Sequence, residues 1–315
     1  MKSNSFFRIN KIVIVLILLL TTKTKTFSQN NNDMAQSTNY TYATVPTQFV
    51  EANGIKFAYR SYGKTGGTPI IYLNHLAANL DNCDPRIMDG IAEQHQIISF
   101  DYRGIGATTG KQGTSIPLMA KDAIAFIHAL GYDKVDILAF SLGGFVTNEI
   151  IVAEPQLIRK VILAGTGPRG GKGISDVAPP TYWDTFKGLV TFRDPKFYLF
   201  FTQNKIGKEA ARQFLNRLKE RKENRDIKTK ISAFTAQLKA IKIWGHEQPA
   251  DLSVFNQPVF IVNGDVDRMV PTPNSYEMAK RFPNNEIEIY ENSGHGGIFQ
   301  FNDRFVKSAL VFFNN

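Results

Sequence analysis

Cysteine is almost absent from this sequence. Cys83 is the only one in 315 residues, so there is no internal disulfide framework and no thiolate cluster for a metal. Histidine is scarce, with five, and none stands in the H-E-x-x-H spacing that puts two ligands on one helix face. No glycine-rich phosphate loop and no internal repeat occurs. Past residue 28, no apolar run approaches the roughly 20 residues a helix needs to cross a bilayer. Together these absences argue against a disulfide scaffold, a zinc metalloprotease, a nucleotide-dependent enzyme and a multi-span membrane protein. No cofactor and no metal are implied.

What is present belongs to an ordinary globular protein: 43% hydrophobic and 21% charged residues, at a length suited to one large catalytic domain. The N-terminus is a different matter. Lys2, Arg8 and Lys11 precede the unbroken apolar run Ile12 to Leu20, and Thr26 and Ser28 are small residues suited to a cleavage site. Residues 1–28 read as a signal peptide, which predicts an exported protein, periplasmic or secreted. No cysteine follows the apolar run closely, which argues against a lipoprotein. The polar stretch 29–47 reads as a flexible linker.

The formal charge of +9 is partly due to this leader. Residues 1–28 hold five Lys or Arg and no acid, so 32 basic and 28 acidic residues remain, a net of +4. Thirteen basic and four acidic residues lie between Lys196 and Lys242. They accompany apolar helical stripes and read as solvated helix faces rather than a nucleic-acid surface.

From residue 48 onward, short apolar runs alternate with helical patterns. Phe49–Glu51 and Ile55–Arg60 read as strands joined by the hairpin signal Asn53-Gly54. Pro69–Leu73, Gln96–Phe100, Val135–Phe140, Val161–Ala164 and Pro258–Val262 read as buried strands. Glu286–Tyr290 alternates, as a half-exposed edge strand does. Helices are expected at Ser115–Leu130, which stops at Gly131, and at Gly143–Ala153, Asn274–Arg281 and Asn302–Phe312. This order predicts an α/β protein with a mostly parallel sheet and helices on both faces. The alternation breaks over about 168–256, where glycines, a Pro-Pro pair and basic helical segments predict an inserted helical lid.

Chemistry concentrates at three strand ends. Ala139-Phe140-Ser141-Leu142-Gly143-Gly144 follows a buried strand and opens a helix. A nucleophile at such a corner needs a tight bend with small neighbours, which Gly143 and Gly144 supply. Alanine stands at Ala139 where glycine is usual. A serine at its free pKa is a poor nucleophile and needs a base, for which His295, flanked by Gly294 and Gly296, is placed. A carboxylate must orient that base, and the loop after Pro258–Val262 offers Asp265 and Asp267. The other strand end, Gly165-Thr166-Gly167, carries no acid. The chain order Ser, Asp, His is one of the three known for such triads.

With Asp101-Tyr102-Arg103-Gly104-Ile105-Gly106, similar to D-x-R-G-x-G, and Leu163-Ala164-Gly165-Thr166-Gly167-Pro168 before the lid, these motifs resemble the α/β-hydrolase superfamily. The likeness spans about Phe49 to Phe313 and is nearest the esterase and cofactor-free haloperoxidase-like serine hydrolases. It implies an eight-stranded α/β-hydrolase fold over residues 48–315. It also implies that Asp267, three residues after Gly264, is the acid, while Asp265 shapes the turn. Leu142 would give one N–H of an oxyanion hole and Leu76 the second. The family usually has His-Gly where this chain has Asn74-His75. Three residues are candidates for lining the substrate or for a structural role: His75 and, from the aromatic cluster that lines a pocket or packs the lid onto the core, Tyr182 and Trp183.

The expected activity is hydrolysis of an ester-like small molecule, a carboxylic ester or lactone, through an acyl-enzyme on Ser141. Perhydrolase, acyltransferase and C–C hydrolase reactions share that triad. Dehalogenases and epoxide hydrolases of the fold carry Asp where Ser141 stands. A binding protein that kept the fold and lost catalysis is the non-enzyme alternative. No nucleic-acid partner and no stable membrane span after signal cleavage are expected, and the sequence leaves the oligomeric state open.

Overall fold

A computed structural model describes residues 40–315. The signal peptide expected over residues 1–28 and the linker residues 29–39 lie outside the described residues.

Eight strands form one sheet: β1 (Gln48–Ala52), β2 (Ile55–Gly63), β3 (Ile70–Leu73), β4 (Gln96–Phe100), β5 (Val135–Phe140), β6 (Ile158–Ala164), β7 (Val259–Gly264) and β8 (Asn285–Tyr290). Their spatial order is β1-β2-β4-β3-β5-β6-β7-β8. The β1–β2 and β2–β4 pairs are antiparallel, and every other pair is parallel. β5 and β7 are buried at every position, as strands covered on both faces must be. β8 is the half-exposed edge that its alternating sequence predicts.

Helices α1 (Pro85–Ala92), α2 (Ile116–Ala129) and α3 (Leu142–Ala153) follow the strands of the first half. Ser115 caps α2, its side chain accepting from Leu118 N. Between β6 and β7 the chain leaves the sheet and builds α4 (Ala178–Val190), α5 (Lys196–Leu199), α6 (Lys205–Arg217) and α7 (Ile231–Gly245). The last third adds α8 (Pro273–Arg281), α9 (Gly297–Gln300) and α10 (Asn302–Asn314). Apolar side chains pack in two clusters: Phe57, Ile137, Leu163 and Ile261 belong to one, and Tyr72, Leu138, Ile162 and Val262 to the other. Neighbouring strand residues fall into different clusters because successive side chains point to opposite faces.

The expected linker ends before residue 47. Tyr42 and Val45 are buried. The Tyr42 N–H donates to Asp89 Oδ1 at 2.6 Å and its hydroxyl to Leu80 O at 2.7 Å. Arg221 donates to the Val45 carbonyl. The stretch is polar on average, but one aromatic and one branched side chain are enough to seat it. Lone Cys83 is also buried, with its thiol pushed up to about 12 by burial. Among the described residues no helix is long and apolar enough to cross a membrane.

Candidate active site

The turn from β5 to α3 places Ser141 at φ 56°, ψ −116°. A non-glycine residue in that region is strained, and strain of this kind persists where the surroundings over-determine it. They do here. Ser141 N donates to Ala164 O at 2.9 Å, and Thr166 Oγ1 donates to Ser141 O at 2.9 Å. A Cβ on Gly143 would overlap the Leu73 carbonyl, and one on Gly144 the Thr166 side chain. The two glycines therefore let α3 press against β3 and β6. Alanine at 139 does not prevent the bend.

The loops after β7 and β8 bring their residues to the same place. His295 Nε2 lies 2.9 Å from Ser141 Oγ, and His295 Nδ1 lies 2.7 Å from Asp267 Oδ2. The other Asp267 oxygen accepts the N–H groups of Met269 at 2.8 Å and Val270 at 3.0 Å. That carboxylate is fixed from both sides, so it holds the imidazole with Nδ1 protonated and Nε2 free to accept from the hydroxyl. Asp265 instead accepts from Ser293 N at 3.0 Å and holds the His295 loop to the end of β7. Phe140 and Phe200 pack on the His295 ring, with centroids 5.0 and 5.5 Å away. All three residues of the chain Ser141–His295–Asp267 are buried.

Above Ser141 and His295 lies a cavity of about 340 Å³. Val177, Thr181, Leu199, Phe200, Phe234 and Met269 supply much of its wall, so it is largely apolar with a few polar groups. Lys196, ion-paired with Asp194 at 3.0 Å, stands at its margin. Leu76 lines it too. Among the described residues no acceptor takes the backbone N–H of Leu76 or of Leu142, which leaves both donors free.

His75 lines the cavity, but as a neutral ring. Its pKa is lowered to about 3, by burial first and then by the charge of Lys196. Nδ1 is 2.9 Å from the Leu76 carbonyl, so it carries the proton and donates it there. Asn74, where the family usually has His, accepts the His75 N–H at 2.8 Å and reaches toward Asn79 O and Cys83 Sγ, both at 3.4 Å. The unusual Asn74-His75 pair thus braces its own loop.

Tyr182 and Trp183 do not line the cavity. They lie on the outer face of α4 and are 51% and 57% exposed. Trp183 stacks with Phe186 at 5.9 Å under the Lys187 ammonium. The inner face of the same helix carries Thr181 and Asp184, and Asp184 pairs with Arg268 beside the acid loop. Aromatic content does not say which face of α4 turns inward: the buried side chains are Thr181 and Asp184, and Tyr182 packs its ring against Phe234, 6.1 Å between centroids. Phe200, from the same aromatic cluster, does reach the site. Phe234 and Met269 also line it. Met269 was within reach of sequence reasoning, because it stands two residues after Asp267.

Among the described residues no group of three or more His, Cys, Asp or Glu is placed to hold a metal ion. The arrangement can transfer a proton from a hydroxyl to an imidazole and offer N–H donors to a developing oxyanion.

A family model for the alpha/beta hydrolase fold matches residues 68–301. An alpha/beta hydrolase fold protein from Chitinophaga pinensis is 35% identical and superposes with a TM-score of 0.82, covering 88% of this chain and 100% of that one. A putative carbamate hydrolase, RutD, of Agrobacterium fabrum is 23% identical over 71% of this chain and 85% of its own length. A non-heme chloroperoxidase of Kitasatospora aureofaciens is 23% identical over 83% of this chain and 97% of its own.

Proposed function

This chain belongs to the alpha/beta hydrolase fold family, and from that premise we propose that it is a serine hydrolase of ester-like small molecules, carboxylic esters or lactones. The observation that carries the reading is the hydrogen-bonded chain from Ser141 through His295 to Asp267 beneath an apolar cavity.

The chemistry follows from that geometry. Ser141 Oγ attacks the carbonyl carbon as its proton passes to His295 Nε2. Asp267 stabilises the imidazolium that results. The carbonyl oxygen becomes an oxyanion held by the N–H groups of Leu76 and Leu142. The bond to the leaving oxygen then breaks, and His295 gives its proton to that oxygen. Water enters, loses a proton to the same nitrogen and cleaves the acyl-enzyme. His295 finally returns the proton to Ser141 Oγ. The neutral His75 takes no proton in this cycle at neutral pH. Its staple on the Leu76 carbonyl supports the donor next to it.

The likeness to a non-heme chloroperoxidase supports a second reading, peracid formation, in which hydrogen peroxide replaces water at the acyl-enzyme. The decisive experiment treats the purified protein with a fluorophosphonate probe beside Ser141→Ala. Labelling lost in the variant is expected, and a folded wild type that does not label would overturn the reading. Assays with p-nitrophenyl esters, lactones, and acetate plus peroxide then separate hydrolysis from peracid formation.

Export is proposed separately, on the charged and apolar pattern of residues 1–28. N-terminal sequencing of the protein recovered from the native host tests it. A mature N-terminus near residue 29 in the exported fraction is expected, and an intact Met1 in the cytosol would overturn it.

A further inference from the structure

The Leu76 N–H sits on a loop held by side chains from the lid. Ala77 adopts φ 58°, a left-handed conformation that a residue with a Cβ rarely takes unsupported. Both of its backbone polar groups are engaged by lid residues. Its N–H donates to Gln237 Oε1 at 2.7 Å, and its carbonyl accepts from Thr229 Oγ1 at 2.9 Å. Gln237 lies on α7 and is fully buried, and its Nε2 reaches Gln112 Oε1 at 3.4 Å. Thr229 lies two residues before α7 begins.

One peptide plane is therefore pinned at both ends. The Leu76 carbonyl accepts from His75 Nδ1, on the core side. The Ala77 N–H of the same plane donates to Gln237, on the lid side. The Leu76 N–H belongs to the preceding peptide, the one it shares with the His75 carbonyl. Its direction depends on the dihedrals of His75 and Leu76, which that pinned plane restrains. Family His-Gly loops place a glycine where this chain has His75. Here the turn is closed by the backbone bond from Ala78 N to His75 O at 3.1 Å, and a side-chain clamp that spans core and lid is added to it.

We propose that Gln237 and Thr229 are positioning residues that aim the Leu76 N–H at the reacting oxygen, so that the oxyanion hole is complete only while the lid is seated. The inference rests on the acyl-transfer reading of the same site. A lid that lifts would take away one donor before it uncovers the serine. The lifted state would then bind and release substrate and react slowly.

Four variants test this: Gln237→Met and Thr229→Val, which remove the partner while keeping size, and Gln237→Glu and Thr229→Ser, which keep an acceptor or a hydroxyl. With a p-nitrophenyl ester, kcat should fall by about 10- to 100-fold in Gln237→Met, somewhat less than the loss of a whole oxyanion donor. KM should stay within about twofold, since the oxyanion forms only in the transition state. Thr229→Val should show a smaller fall that Thr229→Ser restores, and Gln237→Glu should retain more activity than Gln237→Met. Affinity for a trifluoromethyl ketone should drop in step with kcat/KM, while affinity for an unreactive ether analogue holds. Hydrogen exchange over the 74–79 loop should quicken in Gln237→Met while β5 stays protected. Unchanged kcat, or unchanged exchange in the loop, would overturn the clamp. So would losses in kcat and KM that track a fall in Tm. Exchange needs no turnover, so a wild type that fails to label at Ser141 sinks the acyl-transfer reading and this inference with it. A labelled wild type whose variants keep its kcat and its loop exchange sinks only the clamp.

Discussion

The floor and the roof of this active site are held by different forces. The floor is backbone. Ser141, Asp267 and His295 stand on loops tied by main-chain hydrogen bonds and by glycines too close to their neighbours for a Cβ. The roof is side chain. The lid is fastened to the core chiefly by side chains: Phe200, Phe214 and Trp244 sit in the two apolar clusters. The ion pairs Asp184–Arg268, Arg217–Asp84 and Arg225–Asp81 and the two hydrogen bonds to Ala77 add to them, with a backbone bond from Gly296 N to Phe200 O. A floor of this kind has one geometry, since a close-packed turn either forms or does not. A roof of separate side-chain contacts can release at one point and hold at another. Chemistry is thus assigned to the rigid part and access to the divisible part.

The largest effect should come from striking the floor. Asp267→Asn leaves the loop hydrogen bonds available but removes the charge that fixes the imidazole tautomer, and kcat should fall by about 10⁴-fold with little change in Tm. Steady-state kinetics and calorimetry check this, and a loss below tenfold would mean that Asp265 or another acid serves. Gly143→Ala comes next. The added methyl meets the Leu73 carbonyl, so destabilisation of about 1–3 kcal/mol is expected by urea denaturation.

The roof answers to pH. Asp101, buried at the end of β4, faces Asp226 of the lid across Gly106. Burial first, and then the Asp226 carboxylate, push the Asp101 carboxyl well above its usual range, with Arg60 opposing. The folded protein therefore keeps a proton there that the unfolded chain releases near pH 4. The stability this contributes is fully present below about pH 4 and is lost as the pH rises through the folded-state pKa. Asp226→Asn removes the facing charge, so the decline of Tm above pH 4 should flatten. An unaltered Tm–pH slope would show that the pair does not couple lid to core. The smallest effect is expected at the outer face of the roof. Trp183→Ala should leave KM unchanged and stability within about 0.5 kcal/mol, because the side chain packs on the surface.

The same contrast separates what could be read from the sequence and what could not. The floor announces itself locally: an apolar run, a small-residue bend, then a helix, each within a dozen residues. Ser141, His295 and the sheet are legible for that reason. The choice of Asp267 over Asp265 was not local, and came only from the resemblance. The structure gives the physical difference, since Asp267 reaches the imidazole while Asp265 ties down Ser293. The lid is decided by contacts between distant segments. Residues 182, 183 and 186 share one helical face, and nothing in their hydrophobicity says that this face is the exposed one. The inward face is marked instead by buried Thr181, Asp184 and Gly188, and the partner of Asp184 is Arg268, more than eighty positions later. Gln237 gave no signal at all, because its partner is a backbone N–H on a loop far upstream. Tyr42 and Val45 were hidden by averaging over a polar stretch.

Cys83 has a practical consequence. Its sulfur is enclosed beneath the Asn74 amide, with its proton held tightly, so thiol reagents that need a thiolate have nothing to react with at neutral pH. A single cysteine introduced on α4 or α6 would then be the one reactive thiol among the described residues. A spin label or fluorophore attached there would follow the opening of the roof in the otherwise native chain.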